Sequence, residues 1–353
     1  MRVVRRSFAL AVVTAACLAM TSAAAPAATI QVFQGDSIQA AVDSAHRGDT
    51  IVVHRGVFRN GVKIKKNQLT LRGAGDGRNG SVIKPGQHGN CGHGAAGICI
   101  SGRTSNGHQT PTVGTRISGF RVQGFSDFGA IAFGASKTTF RNNTFARNDE
   151  YGVAAFSSKG TRFLHNVAMD GAEAGFYVGD SPHANAVLRG NVARRNHEFG
   201  FFLRDSSHAR AVHNRAVRNC LGIGLVNTGS PGGVHDWSLL GNRALRNQRR
   251  CPGGEDAPPI SGTGIGLLGA SHNLIRDNVA NGNRPSDQKA AFPGGIVVVS
   301  STPFGGSNAA HNRIVDNRAH HNQPADILWD GKGKGNLFNR NRCDSSQPDG
   351  LCK

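Results

Sequence analysis

An asparagine recurs along this chain at intervals that few folds can use. Aligning on Asn143, Asn166, Asn191, Asn214, Asn242, Asn278, Asn317 and Asn341 gives spacings of 23, 25, 23, 28, 36, 39 and 24 residues. Two positions on stands a small residue: Ala168, Ala193, Ala216, Ala244, Ala280 and Ala319. Five positions on stands a second asparagine: Asn148, Asn196, Asn219, Asn247, Asn283 and Asn322. Glycine follows at nine or close to it, as Gly152, Gly175, Gly200 and Gly222. Next comes an apolar pair at alternate positions, as in Phe176/Val178 and Phe201/Leu203. Such periods mark stacked repeats, and the alternation is that of strands. Parallel coils stack at about 4.8 Å, so equal offsets become columns. An inward Asn can bond the amides above and below and satisfy a buried corner. Alanine fits the crowded interior beside it. Glycine is expected to open the strand after a turn needing a positive φ. The reading is an all-β solenoid of parallel coils.

The beginning and the body together carry a resemblance. Ser37-Ile38-Gln39-Ala40-Ala41-Val42 leads to Gly48-Asp49-Thr50-Ile51-Val52-Val53 and then Leu69-Thr70-Leu71-Arg72-Gly73. Asp36 or Ser37 can N-cap a helix that places Ile38, Ala41, Val42 and Ala45 on one face. With the repeat, these segments resemble the right-handed parallel β-helix proteins of the pectin-lyase-like superfamily. The resemblance implies a single-stranded right-handed parallel β-helix with a short N-terminal capping helix over about 37–46. Coils would fill about 50–343 and a tail 344–353, all in one domain of 29–353. It also implies three strands per coil, for example 138–142, 144–148 and 152–156. The substrate cleft would run along the strand that opens with glycine. Inserts at 248–263, 284–293 and 300–311 would build its wall.

Residues 1–28 read as a signal peptide: Arg2, Arg5 and Arg6 precede an apolar run from Phe8 to Met20 and an Ala-rich stretch. Arg5-Arg6-Ser7-Phe8 partly matches a twin-arginine signal. Export to an extracellular location is expected, with no later membrane span. Six cysteines remain after the signal, and an even number in an exported protein favours disulfides. Cys220 and Cys251 fall in the same turn of neighbouring coils. Cys91 and Cys99 close a local loop, and Cys343 and Cys352 tie down the tail. None is spaced as CxxC, so a zinc site is not expected. Formal charge is +19; three of those units are the signal arginines, leaving +16. Such a surface attracts polyanions, uronic-acid polysaccharides and teichoic acids among them, or holds the protein at an anionic cell wall. A monomer with no specific nucleic-acid partner is the expectation.

Candidate chemistry lies along the glycine-opened strand. Tyr177 and Phe202 each stand eleven after their asparagine and should point outward, where exposed rings bind sugar faces. Asp180 and Asp205 stand fourteen after, His183 and His208 seventeen after. On the other side of the strand Glu150, Glu173 and Glu198 each stand seven after. Three stacked carboxylates cannot all ionise freely, so some pKa values should rise. Raised carboxylates and histidines are the usual proton-transfer groups. Ca²⁺ could neutralise such a column instead, as could Arg147, Arg194, Arg195 and Arg218 nearby.

One segment is more specific. Tyr177-Val178-Gly179-Asp180-Ser181-Pro182-His183 resembles the Tyr-x-x-Asp-Pro-His motif of mannuronan C5-epimerases, with Ser181 inserted and the histidine displaced by one. The resemblance implies that Tyr177 and His183 move protons at C5, that Asp180 and Asp205 assist, and that Arg204 neutralises a uronate carboxylate. C5 proton abstraction is also the first half of lyase chemistry. Phe202, Arg204, Glu173 and Glu198 would bind substrate, and His208 would join the catalytic set. No organic cofactor is implied. Hydrolysis is disfavoured: Gly92-His93-Gly94 lies early, between Cys91 and Cys99. No Ser-His-Asp pattern or phosphate-binding Gly loop stands out. The expected function is binding of an anionic polysaccharide with uronan lyase or C5-epimerase activity. The alternative is a non-catalytic β-helix: cell-wall binder, adhesin or structural rod.

Overall fold

The computed structural model describes residues 26–86, 91, 94–105, 108–254 and 258–352, with backbone alone at 104, 105, 108 and 109. The signal-peptide expectation for 1–28 falls almost wholly outside the described residues, as do Gly92 and His93.

Each coil contributes three short strands, and strands of successive coils pair in parallel. In one coil these are Thr139–Arg141 on sheet 1, Thr144–Ala146 on sheet 2 and Tyr151–Phe156 on sheet 3. The next coil repeats them as Arg162–Leu164, Val167–Met169 and Ala174–Ser181. Sheet 2 alone has 11 strands. One strand, Phe199–Val212, runs from sheet 3 into sheet 1 without a break. Equal offsets therefore do become columns, and the chain is a parallel β-helix.

The asparagine column is continuous. Asn143 Nδ2 donates to Asn166 Oδ1 at 3.0 Å, Asn166 to Asn191 at 3.1 Å and Asn191 to Asn214 at 2.9 Å. The ladder goes on through Asn242, Asn278 and Asn317 to Asn341. Each Oδ1 also takes the backbone N–H of the preceding asparagine, and each Nδ2 also reaches a carbonyl, as Asn191 does to Phe163 O at 2.9 Å. A buried turn thus keeps its polar groups paired without water. The second column runs from Asn196 to Asn322 and ends on Asp326, whose Oδ1 accepts from the Asn322 amide and backbone. A third column, Asn273–Asn312–Asn336, occupies another corner of the last coils. It is too short to show as a period.

Crowding, and not the expected positive φ, accounts for the glycines. Gly152, Gly175, Gly200 and Gly222 do not have positive φ. A Cβ on Gly152 would lie 2.5 Å from Gly175 O and 2.8 Å from the Ala168 methyl; on Gly200, 2.5 Å from Gly222 O and 2.9 Å from Asn219 Nδ2. The asparagine and alanine columns leave no room for a side chain. Inward phenylalanines fill the rest, with Phe176 stacked on Phe201 at 4.8 Å and Phe140 on Phe163 at 5.6 Å.

The ends differ in detail from expectation. The helix is Ile38–Ser44, N-capped by Ser37, and buries Ile38, Ala41 and Val42 over the first coil. A strand, Thr29–Val32, precedes it and pairs with Thr50–Val53. The tail is not outside the solenoid, because Ser346–Gln347 adds a rung on Ile327–Leu328. All three expected disulfides form: Cys91–Cys99, Cys220–Cys251 and Cys343–Cys352, with Cα separations of 5.7, 6.1 and 5.3 Å. Disulfides persist in oxidising compartments. Among the described residues, no helix is long and apolar enough to cross a membrane.

Candidate functional site

The outer face of sheet 3 is carpeted with rings. Strand alternation sends Phe176 and Val178 inward and Tyr177 outward, where the register sets it between Ala154 and Phe202. Tyr177 stacks with Tyr151 at 4.5 Å and Phe156 at 4.4 Å, and takes the edge of Phe202 at 5.3 Å. Phe199 stacks on Phe202 at 4.2 Å. Outward rings on successive coils are only one rung apart, so they close over one another. Tyr177 is consequently 0 % exposed, against the expectation of an open ring for sugar stacking; only Phe202 of that pair keeps an exposed part. Beyond it lies an apolar hollow of about 270 Å³, lined by Glu198, Phe202, Leu221, Leu268, Phe292 and Phe304 among others. All three expected inserts supply part of its wall, through Ile260, Phe292 and Phe304.

One rim of this face carries a compact ionic group. Tyr177 Oη donates to Asp180 Oδ2 at 3.4 Å, and Arg204 Nη2 donates to Asp180 Oδ1 at 3.0 Å. Arg204 Nε lies 3.4 Å from Asp205 Oδ2 without hydrogen-bond alignment. Asp205 is fully buried and accepts from the Thr228 backbone N–H at 2.9 Å and from its hydroxyl. Thr228 is a partner that no sequence offset points to, since it lies one coil on, just past its strand. Burial pushes the Tyr177 hydroxyl well above its ordinary pKa, and the Arg204 charge opposes that rise.

The opposite rim is the glutamate column. Burial first, and the Glu173 charge second, push Glu150 and Glu198 up to about 7. Glu173 is also raised by burial; a hydrogen bond from Tyr151 and the field of Arg204 oppose this. The rise was expected, but desolvation rather than mutual repulsion leads it. Two of the nearby arginines are engaged elsewhere. Arg195 forks onto Asp170 at 2.6 and 2.8 Å, and Arg194 lies on the Met169 sulfur.

The histidines stand apart. His183 and His208 rings are 5.4 Å apart, and His208 continues to His235 at 5.3 Å. His235 Nδ1 lies 2.7 Å from Asp236 Oδ2, and His208 Nε2 lies 3.5 Å from the same oxygen. Among the described residues no hydrogen bond or ion pair joins this column to Tyr177, Asp180, Arg204 or Asp205. Stacking thus brings Tyr177, Asp180, Arg204, Asp205 and Phe202 together opposite the glutamates, while His183 and His208 form a neighbouring exposed row. The ligand atoms of His208, His235 and Asp236 all lie within 4.8 Å of one another, as do those of His320, Asp326 and Asp344. Asp326 already accepts from Asn322 and Ser345, so the second group is committed to closing the asparagine column.

The sequence pattern of the family described as "Right handed beta helix region" matches residues 45–243. The chain belongs to the right-handed β-helix family. No curated protein sequence matches it. Among solved structures it resembles the A-module of mannuronan C-5 epimerase AlgE6 from Azotobacter vinelandii, with TM-score 0.61, 14 % identity, and coverage of 88 % of this chain and 89 % of that one. The periplasmic alginate epimerase AlgG gives TM-score 0.58 at 15 % identity, over 90 % of this chain and 73 % of that one. An alginate lyase from Paenibacillus sp. str. FPU-7 gives 0.52 at 16 %, over 87 % and 99 %. Likeness at these identities is one of fold, and this β-helix is the frame on which the two rims are built.

Proposed function

We propose that this protein is exported and binds an acidic polysaccharide along the outer face of sheet 3, where it moves the C5 proton of a uronate unit. The observation that carries the reading is Arg204, flanked by Asp180, Asp205 and Tyr177 on one rim and facing raised glutamates on the other. Removing the C5 proton throws negative charge onto the uronate carboxylate, and a partly buried guanidinium stabilises that charge where it develops. Tyr177 keeps its proton at neutral pH and is a donor. Glu173 is the base favoured by position, because it shares the field of Arg204. His183, the base implied by the motif, stands with His208 and His235 instead.

Two outcomes share this first step. Return of a proton to the other face of C5 inverts the centre. Breakage of the C4–O bond, with the leaving oxygen taking a proton, cleaves the chain and leaves a C4–C5 double bond. The known relatives of the same fold that act on alginate support this pair of reactions. Incubation with alginate, pectate and hyaluronan, followed by ultraviolet absorbance of unsaturated ends and deuterium uptake from solvent at C5, tests both. Absence of both signals on all three polymers, with binding retained, would leave the second reading: a non-catalytic binder of the same polymers. The complete burial of Tyr177 favours that second reading, since the Phe156 and Phe202 rings must turn aside before its hydroxyl meets a sugar.

A further inference from the structure

The outer face of sheet 1 carries arginines in a pattern that no single column shows. In six consecutive coils the outward positions are Thr70/Arg72, Arg116/Ser118, Thr139/Arg141, Arg162/Leu164, Val187/Arg189 and Arg210/Val212. Every coil offers one arginine, and it alternates between two columns two residues apart along the strand. Coils are about 4.8 Å apart and the columns about 6.6 Å, so consecutive arginines lie about 8 Å from each other in a zigzag. That separation is close to the screening length at physiological salt, so mutual repulsion is small while the summed field persists.

All six arginines are exposed, and among the described residues none makes an ion pair. Exposed arginines elsewhere do: Arg250 with Asp287, Arg276 with Asp277, Arg340 with Asp316. No carboxylate occupies an outward position of sheet 1 across these coils. The side chains bound two open hollows. One of about 540 Å³ lies among Arg116, Lys137, Arg141 and Arg162, and one of about 320 Å³ among Arg141, Arg162, Arg189 and Arg210.

We infer that the outer face of sheet 1 is a second binding surface, separate from the sheet 3 groove, for an extended acidic polysaccharide lying along the helix axis. The polymer class rests on the function proposed above; the existence of an anion-binding face does not. A polymer with one carboxylate per sugar carries a charge at nearly the rung spacing of about 4.8 Å, so it meets one guanidinium per coil. The guanidinium fork matches a carboxylate bidentately. Single-stranded nucleic acid fits less well, because its binders stack bases on aromatic rings and the outward positions here carry none. A chain held on this face raises the local concentration of substrate at the groove around the corner.

The test compares full-length protein with an Arg141→Gln/Arg162→Gln/Arg189→Gln variant and a charge-matched Arg243→Gln/Arg318→Gln/Arg342→Gln control on sheet 2. The probes are a long polyuronate, its carboxyl-reduced form, a uronate tetramer and a single-stranded DNA oligomer. Thermal melts establish that each variant is folded. The sheet 1 variant is expected to bind the long polyuronate about ten-fold more weakly at low salt, with a shallower salt dependence. The control is expected to lose two-fold or less, and the tetramer, which the groove alone accommodates, to bind all three proteins equally. Equal losses in variant and control, or none in the variant, would overturn the second surface. Loss of DNA binding with polyuronate binding intact would overturn the assignment of its occupant. Failure of the groove reading instead appears as tetramer binding that Arg204→Ala leaves unchanged, with the sheet 1 effect intact.

Discussion

Sheets 1 and 3 are consecutive sides of the same coils, lined inside by the same stacked apolar residues, yet their outer faces are chemical opposites. Sheet 3 is roofed by Tyr151, Phe156, Tyr177, Phe199 and Phe202, with ionisable groups confined to its rims. Among the described residues, the outward positions of sheet 1 from Arg72 to Arg210 are open, free of carboxylates and studded with arginines in no ion pair. The inner lattice tolerates either face because it is complete without them: the asparagine columns satisfy the corners and the Phe and Ala columns fill the centre. Neighbouring coils impose sameness inward, where columns touch. Outward, they impose only a spacing, which one sheet uses for ring stacking and the other for charge.

That contrast can be broken. Tyr177→Phe removes the hydroxyl that reaches Asp180 from the ring carpet, and should lower turnover on a uronan by about 10²–10⁴-fold while the melting temperature barely moves. Sheet 1 variants should leave that turnover on short substrates untouched. Equal losses from both would mean the two faces act as one site.

A lattice change should damage both faces together. Asn191→Leu strands the amide N–H of Asn166 and the carbonyl of Phe163 in a dry interior and takes one of two donors from the Asn214 oxygen. A stability loss of about 3 kcal/mol in denaturant melts is expected. A loss under about 1 kcal/mol would show that the column is ornamental rather than structural.

Opening one bridge should touch mainly the groove side. Cys220 and Cys251 close a 31-residue separation, and Cys251 lines the hollow beside Phe202. The Cys220→Ser/Cys251→Ser pair should cost about 2–4 kcal/mol and weaken uronan binding in the groove, with sheet 1 binding kept.

The smallest expected effect is a pH signature of the glutamate rim. Glu198 holds its proton to about pH 7 in the fold but loses it near 4.5 when unfolded. The folded state therefore binds the extra proton between those values, and stability falls as pH rises through that window, then levels off above 7. Glu198→Gln should flatten that slope in melts across pH 4.5–7.5, whereas Arg141→Gln should not. An unchanged slope in Glu198→Gln would locate the loss elsewhere.

Much of the frame was legible in the residue string. The columns of Asn143–Asn341 and of Asn196–Asn322, the three cysteine pairs and the Ile38–Ser44 helix all follow from offsets or local pattern. The zigzag of arginines is equally present, two or four positions before each asparagine from Asn143 to Asn214, but its period is two coils, so it forms no one-coil column. Thr228 was invisible because its role depends on a strand end one coil away. The crowding at the glycines is not legible, since a sequence reports that a side chain is missing and not what would have struck it.

By itself the sequence determined the stacking, because in a solenoid each coil touches only its neighbours and equal offsets must coincide in space. Only the tertiary structure decided what the outward residues become. Whether Tyr177 meets solvent or lies under Phe156 and Phe202, whether His183 faces Asp180 or joins His208 and His235, and whether arginines pair or stand free depend on side-chain directions across coils. Those directions are set by ring packing and turn geometry, neither of which a column of offsets contains.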